Sequence, residues 1–122
     1  MIDLNVSDVR PFIPSANFET SKRFYTALGW VVKWSDDHLA LMENGNHRFY
    51  LQAYYQKEWA ENTMLHISIS DAHSCYEEVK ELLASGNFSG ARVAEPKHEP
   101  YGALVTHVWD PCGVLLHFAQ WK

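Results

Sequence analysis

Seven histidines, two cysteines and fifteen carboxylates are the side chains of this 122-residue chain that could do chemistry. No catalytic motif joins them. Cys75 and Cys112 are too few for a disulfide framework or a thiolate zinc site. Glu95 and Glu99 are candidate general bases, but no partner motif accompanies them. The chain also has no glycine-rich phosphate-binding loop. These observations favour a function other than catalysis.

Aromatic residues are abundant and suit the recognition of a flat molecule. Five Trp, six Tyr and six Phe are present among the 122 residues. Aromatic side chains fill cores and also line sites for flat ligands. We expect Trp30 to pack in the core and Trp59 to contact either a ligand or a second subunit. Trp34, Tyr54 and Tyr101 are the aromatic candidates for ligand contact.

The charge balance restricts the partners. Ten Lys and Arg against fifteen Asp and Glu give a formal net charge of −5. A nucleic-acid-binding protein needs a basic surface, so this charge argues against nucleic acid and is compatible with a cationic ligand. No apolar stretch approaches the ~20 residues of a membrane span, and no secretory leader is visible. We therefore expect a soluble, cytoplasmic protein without a membrane partner.

The elements that must position these residues follow in the same order twice. In the first half, Pro11 and Pro14 restrict the first strand to an edge or to an arm that leaves the domain. Ser15 or Asn17 can cap the helix that follows, and Gly29 ends it. The predicted strands are Val6–Ile13, Trp30–Ser35, His38–Glu43 and Phe49–Tyr55, with a hairpin turn at Asn44-Gly45 and a polar loop over Gln56–Asn62.

The second half begins with a strand over Thr63–Ser70, in which apolar residues alternate. Asp71 caps a helix that runs to about Ala84. The later predicted elements are a short strand over Ala91–Ala94, a proline-bearing loop over Glu95–Gly102, and strands over Ala103–Trp109 and Val114–Gln120 that flank an Asp-Pro-x-Gly turn.

Each half thus has a strand, a helix and then three strands, which predicts an α+β fold in a single domain. Module one covers about residues 1–56 and module two about 62–122. Neither module can bury its sheet face alone. Pairing the modules side by side gives one curved eight-stranded sheet around a cleft, with the helices outside.

Three stretches resemble the vicinal oxygen chelate superfamily, which includes glyoxalase I, extradiol dioxygenases, fosfomycin-modifying enzymes and bleomycin-resistance proteins. They are Phe24-Tyr25 with Leu28-Gly29-Trp30, then Leu65–Ile69, and finally Pro100-Tyr101-Gly102 with Asp110–Phe118. The likeness covers nearly the whole chain. It is closest to the bleomycin-resistance binding proteins, in which a proline like Pro11 is the hinge of an N-terminal arm exchanged between subunits. The resemblance implies a homodimer with two ligand grooves at its interface.

The superfamily's enzymes hold a divalent metal with side chains from four strands. The resemblance places those positions at Arg10, Leu51 or Gln52, His66 and His117. A cation at the first position repels a metal, and two imidazoles without a carboxylate make a poor site for Mg or Mn. We therefore expect no metal cofactor. The alternative is zinc or another divalent metal held by His66, His117 and Gln52.

Strand alternation selects the side chains that line the cleft. If Gln52 faces the cleft, Tyr50 and Tyr54 do so as well. Trp34 should share a face with Val32 and Trp30, whereas alternation leaves open whether His38 or Leu39 faces inward. The candidate ligand-binding residues are Trp34, His38, Tyr50, Gln52, Tyr54, His66, Tyr101, His107 and His117.

The resemblance also assigns a role to Tyr101. In the bleomycin-resistance proteins an aromatic residue at this position, usually Trp, stacks on the flat bithiazole of the drug. A second stacking aromatic, expected near Leu39, is missing here. A flat or cationic molecule other than bleomycin therefore suits the residues equally well.

The predicted function is metal-free sequestration of a flat, cationic small molecule of the bleomycin-resistance type, in a groove at a dimer interface. Affinity would come from aromatic stacking and desolvation. The alternative from another class is a metal-dependent lyase or dioxygenase of the same fold, for which Arg10 should be His, Gln or Glu. A third alternative is a closed cleft, which would indicate a protein-contact role.

Overall fold

The first module forms a four-stranded sheet with one helix. In the computed structural model, which describes residues 1–122, the strand order is β1-β4-β3-β2. Strand β1 runs parallel to β4, and the other pairs are antiparallel. The elements are β1 (Phe12–Pro14), α1 (Phe18–Ala27), β2 (Val31–Ser35), β3 (Leu39–Asn44) and β4 (His47–Gln52).

The second module forms a five-stranded sheet with a long helix. Its strand order is β5-β9-β8-β6, and β7 also pairs with β8. The elements are α2 (Lys57–Glu61), β5 (Met64–Ser68), α3 (Ala72–Ala84), β6 (Arg92–Val93), β7 (Lys97–His98), β8 (Ala103–Trp109) and β9 (Leu115–Trp121). The α+β class is confirmed, with the strands divided between two sheets within one chain. No helix is long and apolar enough to cross a membrane.

Side-chain caps set the start of both long helices. Asn17 Oδ1 accepts a hydrogen bond from the Thr20 N–H at 3.1 Å, so Asn17 rather than Ser15 is the N-cap of α1. Asp71 Oδ1 accepts from the Ser74 N–H at 3.0 Å at the start of α3. Each bond satisfies an amide that the helix itself leaves unpaired.

The helix-facing sides of both sheets contribute to one buried core. Phe24 of α1 meets Phe88 of the second module edge-on, with ring centroids 5.4 Å apart. Trp30 packs edge-on against Phe49 at 4.8 Å, as the sequence predicts. The twelve buried residues of this cluster are Ile13, Phe24, Tyr25, Ala40, Met42, Phe49, Leu51, Val79, Val108, Val114, Leu116 and Phe118. The opposite side of each sheet is left without a helix.

Three predicted elements were wrong. The first strand spans only Phe12–Pro14, because pairing with β4 starts there, and residues 1–11 carry no strand. The polar loop over Gln56–Asn62 contains a helical turn, in which the Ala60 N–H donates to the Gln56 carbonyl at 2.9 Å. The loop over Glu95–Gly102 contains β7, which exists only through its pairing with β8.

A β-bulge in β2 overturns the predicted orientation of Trp34. Val32 lies opposite Met42 while Trp34 lies opposite Leu41, so Lys33 is an extra residue between two consecutive pairs. A bulge shifts side-chain alternation by one residue. Val32 therefore lies on the side of the buried Met42, and Trp34 lies on the opposite side with Leu41. Trp34 and Val32 do not share a face.

Candidate functional site

Three histidines lie side by side across the second sheet. His66 of β5 pairs with His117 of β9, which pairs with His107 of β8. Directly paired residues on neighbouring strands project to the same face. The ring centroids are 6.4 Å apart for His66 and His117, and 4.9 Å apart for His117 and His107. On the other face Thr106 donates its hydroxyl to the Ala72 carbonyl of α3, so the histidines lie on the side that the helix leaves uncovered.

Aromatic rings extend this line at both ends. The Trp121 ring lies 5.5 Å from His66 and 5.4 Å from Tyr101, and at the far end Trp109 lies 6.3 Å from His107. We call this set the aromatic row: Tyr101, Trp121, His66, His117, His107 and Trp109. Tyr101 is 52% exposed and Trp121 is 48% exposed. The row is a stacking surface open to a flat ligand.

The environment of His117 keeps the middle of the row neutral. Partial burial lowers the pKa of His117, and the neighbouring His107 and His66 lower it further, whereas Glu99 acts in the opposite direction. His117 Nε2 lies 3.3 Å from the Met64 sulfur. Near neutral pH the central imidazole is therefore an uncharged, flat contact.

A cation lies on the row at its Trp109 end. Arg92 of β6 pairs with Trp109 of β8, and its guanidinium carbon lies 3.7 Å from the Trp109 ring centroid. This is a close cation–π contact. Nearby, His107 Nε2 and Lys97 Nζ each lie 4.0 Å from Glu99 Oε1. Arg92 is thus the charged group at the Trp109 end of the row, whereas Lys97 and Glu99 lie along β8 between His107 and Tyr101.

The first sheet has an uncovered face of its own. Tyr50 lies opposite Phe12 on one side and Leu41 on the other, and Trp34 pairs with Leu41. The Phe12 and Tyr50 rings stack at 5.0 Å. Leu39 pairs with Gln52, so Leu39 rather than His38 lies on this face. We call this set the first open face: Phe12, Trp34, Leu39, Leu41, Tyr50 and Gln52.

Charged side chains surround Tyr50. Arg10 donates to the Tyr50 hydroxyl at 2.7 Å and to Asp8 Oδ2 at 2.8 Å. Arg48 pairs with Glu43 at 2.9 Å and lies 3.6 Å from Asp8. The hydrogen bond from Arg10 lowers the pKa of Asp8, which stays ionised. Both arginines are therefore already paired with a carboxylate within the chain, Arg10 with Asp8 and Arg48 with Glu43.

An open groove of about 540 Å³ lies between the two modules. Arg48, beside the first open face, and His66, from the aromatic row, both line it. Phe49, Ile67 and Phe118 contribute apolar wall. The groove therefore reaches both uncovered sheet faces.

The comparison with protein families decides the identity of this fold. The Glyoxalase/Bleomycin resistance protein/Dioxygenase superfamily matches residues 9–118. The chain belongs to this superfamily. A comparison with curated proteins found no match.

Solved structures share the superfamily fold over the whole chain. A bleomycin-binding protein complexed with bleomycin is 22% identical, with a TM-score of 0.77, and covers 96% of this chain and 100% of its own. The bleomycin-binding protein of Streptomyces verticillus, complexed with copper(II)-bleomycin, is 20% identical, with a TM-score of 0.76 and full coverage of both chains. TnmS3, an antibiotic binding protein from Streptomyces sp. CB03234, is 17% identical, with a TM-score of 0.76, and covers 98% of this chain and 100% of its own.

The divalent metal of the superfamily's enzymes does not fit the residues within one chain. No group of three or more His, Cys, Asp or Glu side chains comes together as metal ligands. His66 and His117 lie on the second sheet, whereas Gln52 lies on the first open face. Arg10 occupies the fourth position at which the superfamily's enzymes have a metal ligand. Its positively charged guanidinium donates a hydrogen bond to Asp8. A cation among the would-be ligands opposes a metal.

The structure divides seven of the nine predicted ligand-binding residues between the two uncovered sheet faces. Tyr101, His66, His107 and His117 join the aromatic row, and Trp34, Tyr50 and Gln52 share the first open face. Tyr54 lies beyond the end of β4, with its ring 5.9 Å from Trp59. His38 lies in the bend before β3, where its carbonyl accepts from the Ala53 N–H.

Sequence reasoning missed five residues of these surfaces, namely Trp121, Trp109, Arg92, Phe12 and Leu41. A signal for two of them existed. Trp121 follows His117 by four residues and Trp109 follows His107 by two, so strand alternation places each with its histidine. Arg92 and Phe12 reach these faces through pairing with distant strands, which leaves no local signal.

Proposed function

We propose that this chain is a binding protein that sequesters a flat small molecule by stacking, without a metal and without making or breaking a bond. The aromatic row is the observation that supports it. Six rings follow one another at centroid distances of 4.9–6.4 Å on a sheet face that no helix covers. Aromatic surface left open in this way is typical of binding sites. Stacking and desolvation of the row would supply the affinity.

The solved proteins of the same fold support an antibiotic as the ligand class. One is complexed with bleomycin, another with copper(II)-bleomycin, and TnmS3 is described as an antibiotic binding protein. Their sequence identity to this chain is only 17–22%, which shows a shared fold and does not specify a ligand. The class of ligand is therefore inferred from the side chains of the aromatic row. A flat heteroaromatic group would lie on the row, with Tyr101 and Trp121 as its outer contacts.

A second copy of the chain completes the groove in this proposal. Phe12 is 48% exposed and Trp34 is 50% exposed, so the aromatic side chains of the first open face are as exposed to solvent as Tyr101 and Trp121 of the aromatic row. Two bare faces on one chain suit a two-fold dimer, in which the first open face of one copy lies opposite the aromatic row of the other. Each dimer would then hold two ligands, each between two faces.

The N-terminal segment supports exchange of an arm in that dimer. Residues 1–11 carry no strand or helix, yet five of them are large, apolar and exposed: Met1, Ile2, Leu4, Val6 and Val9. Such side chains are stabilised when they pack against another surface.

We expect sedimentation equilibrium to give a dimer for the full chain and a weaker dimer when residues 2–6 are removed. A full-length monomer at all concentrations would contradict the shared groove.

Titration of the metal-stripped protein with bleomycin tests the capture itself. We expect quenching of tryptophan fluorescence at one ligand per subunit, together with a rise in melting temperature. Trp121→Ala and Tyr101→Ala should each weaken binding about fivefold, since stacking on one ring is worth about 1 kcal/mol. Tyr76→Ala is the matched control, because Tyr76 lies on α3, away from both uncovered faces.

Two outcomes would contradict the proposal. The first is binding that Trp121→Ala and Tyr101→Ala leave unchanged. The second is a requirement for an added divalent ion that is lost in His66→Gln and His117→Gln, which would favour the metal-dependent lyase or dioxygenase.

A further inference from the structure

The charges near the two uncovered faces differ in sign from the chain as a whole. The net charge is −5, which by itself favours a cationic ligand. The basic residues on or beside these faces are Arg10, Lys33, Arg48, Arg92 and Lys97, and the acidic ones are Asp8, Glu43 and Glu99. Among the side chains in these contacts, five cations face three carboxylates, so cations are locally in excess.

Most of these cations already have partners. Arg10 and Arg48 donate to Asp8, Tyr50 and Glu43 at 2.7–2.9 Å. Lys33 lies 3.8 Å from Glu43. A guanidinium whose donors are engaged offers little to a ligand.

Arg92 is the exception. It has no carboxylate within 4.0 Å, and its side chain makes no hydrogen bond within the chain. Its contact is the face of Trp109, 3.7 Å from the ring centroid. A guanidinium on an aromatic face keeps its in-plane N–H donors free to bind a carboxylate in a bidentate way.

The position of Arg92 connects it to the proposed stacking surface. Trp109 is the last ring of the aromatic row, 6.3 Å from His107. A flat molecule lying on the row would therefore bring an edge substituent to the guanidinium. An acidic substituent gains a charge-assisted hydrogen bond there, whereas a cationic one meets an unpaired positive charge.

We propose that the aromatic row selects planar aromatic acids, with the rings of the ligand on the row and its carboxylate or phenolate at Arg92. This inference rests on the proposed function, because it assumes that the ligand stacks on the row. It replaces the cationic ligand that net charge favours, since the groups nearest the ligand dominate its electrostatic energy.

Three anthracene probes of equal ring size and different charge test the proposal: anthracene-9-carboxylate, anthracene-9-carboxamide and 9-(aminomethyl)anthracene. Binding to the full chain near pH 7.5 is followed by tryptophan quenching. We expect the carboxylate to bind about tenfold tighter than the carboxamide, and the amine to bind most weakly. In Arg92→Gln the carboxylate should lose about tenfold and the carboxamide should change less than twofold. Arg23→Gln, on the outer surface of α1, is the matched control and should change neither.

The outcomes separate this inference from the proposed function. If all three probes bind equally, or the amine binds tightest, and Trp121→Ala weakens binding of each probe, the selection for acids is wrong and the stacking function stands. A carboxylate preference that persists in Arg92→Gln overturns the assignment to Arg92. If none of the three probes binds, the stacking function fails and the inference fails with it.

Discussion

The Tyr25 hydroxyl donates a 2.6 Å hydrogen bond to Asp110 Oδ2, and both groups are buried. The bond joins α1 of the first module to the turn between β8 and β9 of the second. The other carboxylate oxygen, Oδ1, accepts the backbone N–H groups of Cys112 and Val114 at 2.9 and 3.0 Å. Burial raises the pKa of Asp110, against these hydrogen bonds, and raises the pKa of Tyr25 well above its ordinary value. One buried carboxyl thus holds a turn and a module contact together.

Removing the Tyr25 hydroxyl should destabilise the fold. We expect Tyr25→Phe to lower the free energy of unfolding by about 1–3 kcal/mol, because one oxygen of a buried carboxyl loses its partner. Asp110→Ala should cost more than Asp110→Asn, since the amide keeps an oxygen for the turn. Urea denaturation followed by circular dichroism measures these changes. Tyr76→Phe is the control, and an equal loss there would contradict the role of the Tyr25 bond.

Gly90 occupies a position without room for a side chain. Its φ is +92°, and a Cβ atom there would lie 2.8 Å from the Pro111 carbonyl oxygen. We expect Gly90→Ala to cost about 2 kcal/mol or more, from backbone strain and displacement of the Pro111 backbone. Gly86 has φ +78° and open space around its Cβ position, so Gly86→Ala measures the strain alone. Equal losses in urea denaturation would show that the close approach to Pro111 is unimportant.

Both cysteines should be unreactive in the folded protein. Burial raises the pKa of Cys75 to about 11 and that of Cys112 to about 12, with help from the charges of Glu78 and Asp110. The thiolate is the reactive form. We expect alkylation by iodoacetamide near pH 8 to be at least about a hundredfold slower in buffer than in denaturing urea. Mass spectrometry counts the labelled thiols. Rapid labelling of the native chain would contradict burial of the thiols.

The lowered pKa of His117 predicts a pH dependence of stability. An unfolded histidine takes up a proton near pH 6.5, whereas folded His117 does so only at lower pH. The unfolded state therefore binds more protons in that interval, and stability falls as pH drops below about 6.5. We expect the urea midpoint to fall less between about pH 7.5 and 5.5 in His117→Gln than in the wild type. His73→Gln, exposed on α3, is the control and should keep the wild-type fall.

Local patterns predict the elements that depend on near neighbours. Capping by Asp71, the end of α1 at Gly29 and the hairpin turn at Gly45 each need only a few adjacent residues, and each is confirmed. Helix α2 was missed because its five residues, Lys57–Glu61, are too few to show an apolar periodicity. Strand β7 was missed because its two residues form a strand only by pairing with β8.

The sequence by itself determined the α+β class and the order of the longer helices and strands, because these follow from side-chain periodicity along a strand or helix. Only the tertiary structure decided which strands are neighbours, and so brought His66, His117 and His107 into one line and set Arg92 on Trp109. It also decided the face of Trp34, through a bulge that alternation does not reveal. Strand register and charge placement depend on contacts between distant residues, which a one-dimensional pattern does not contain.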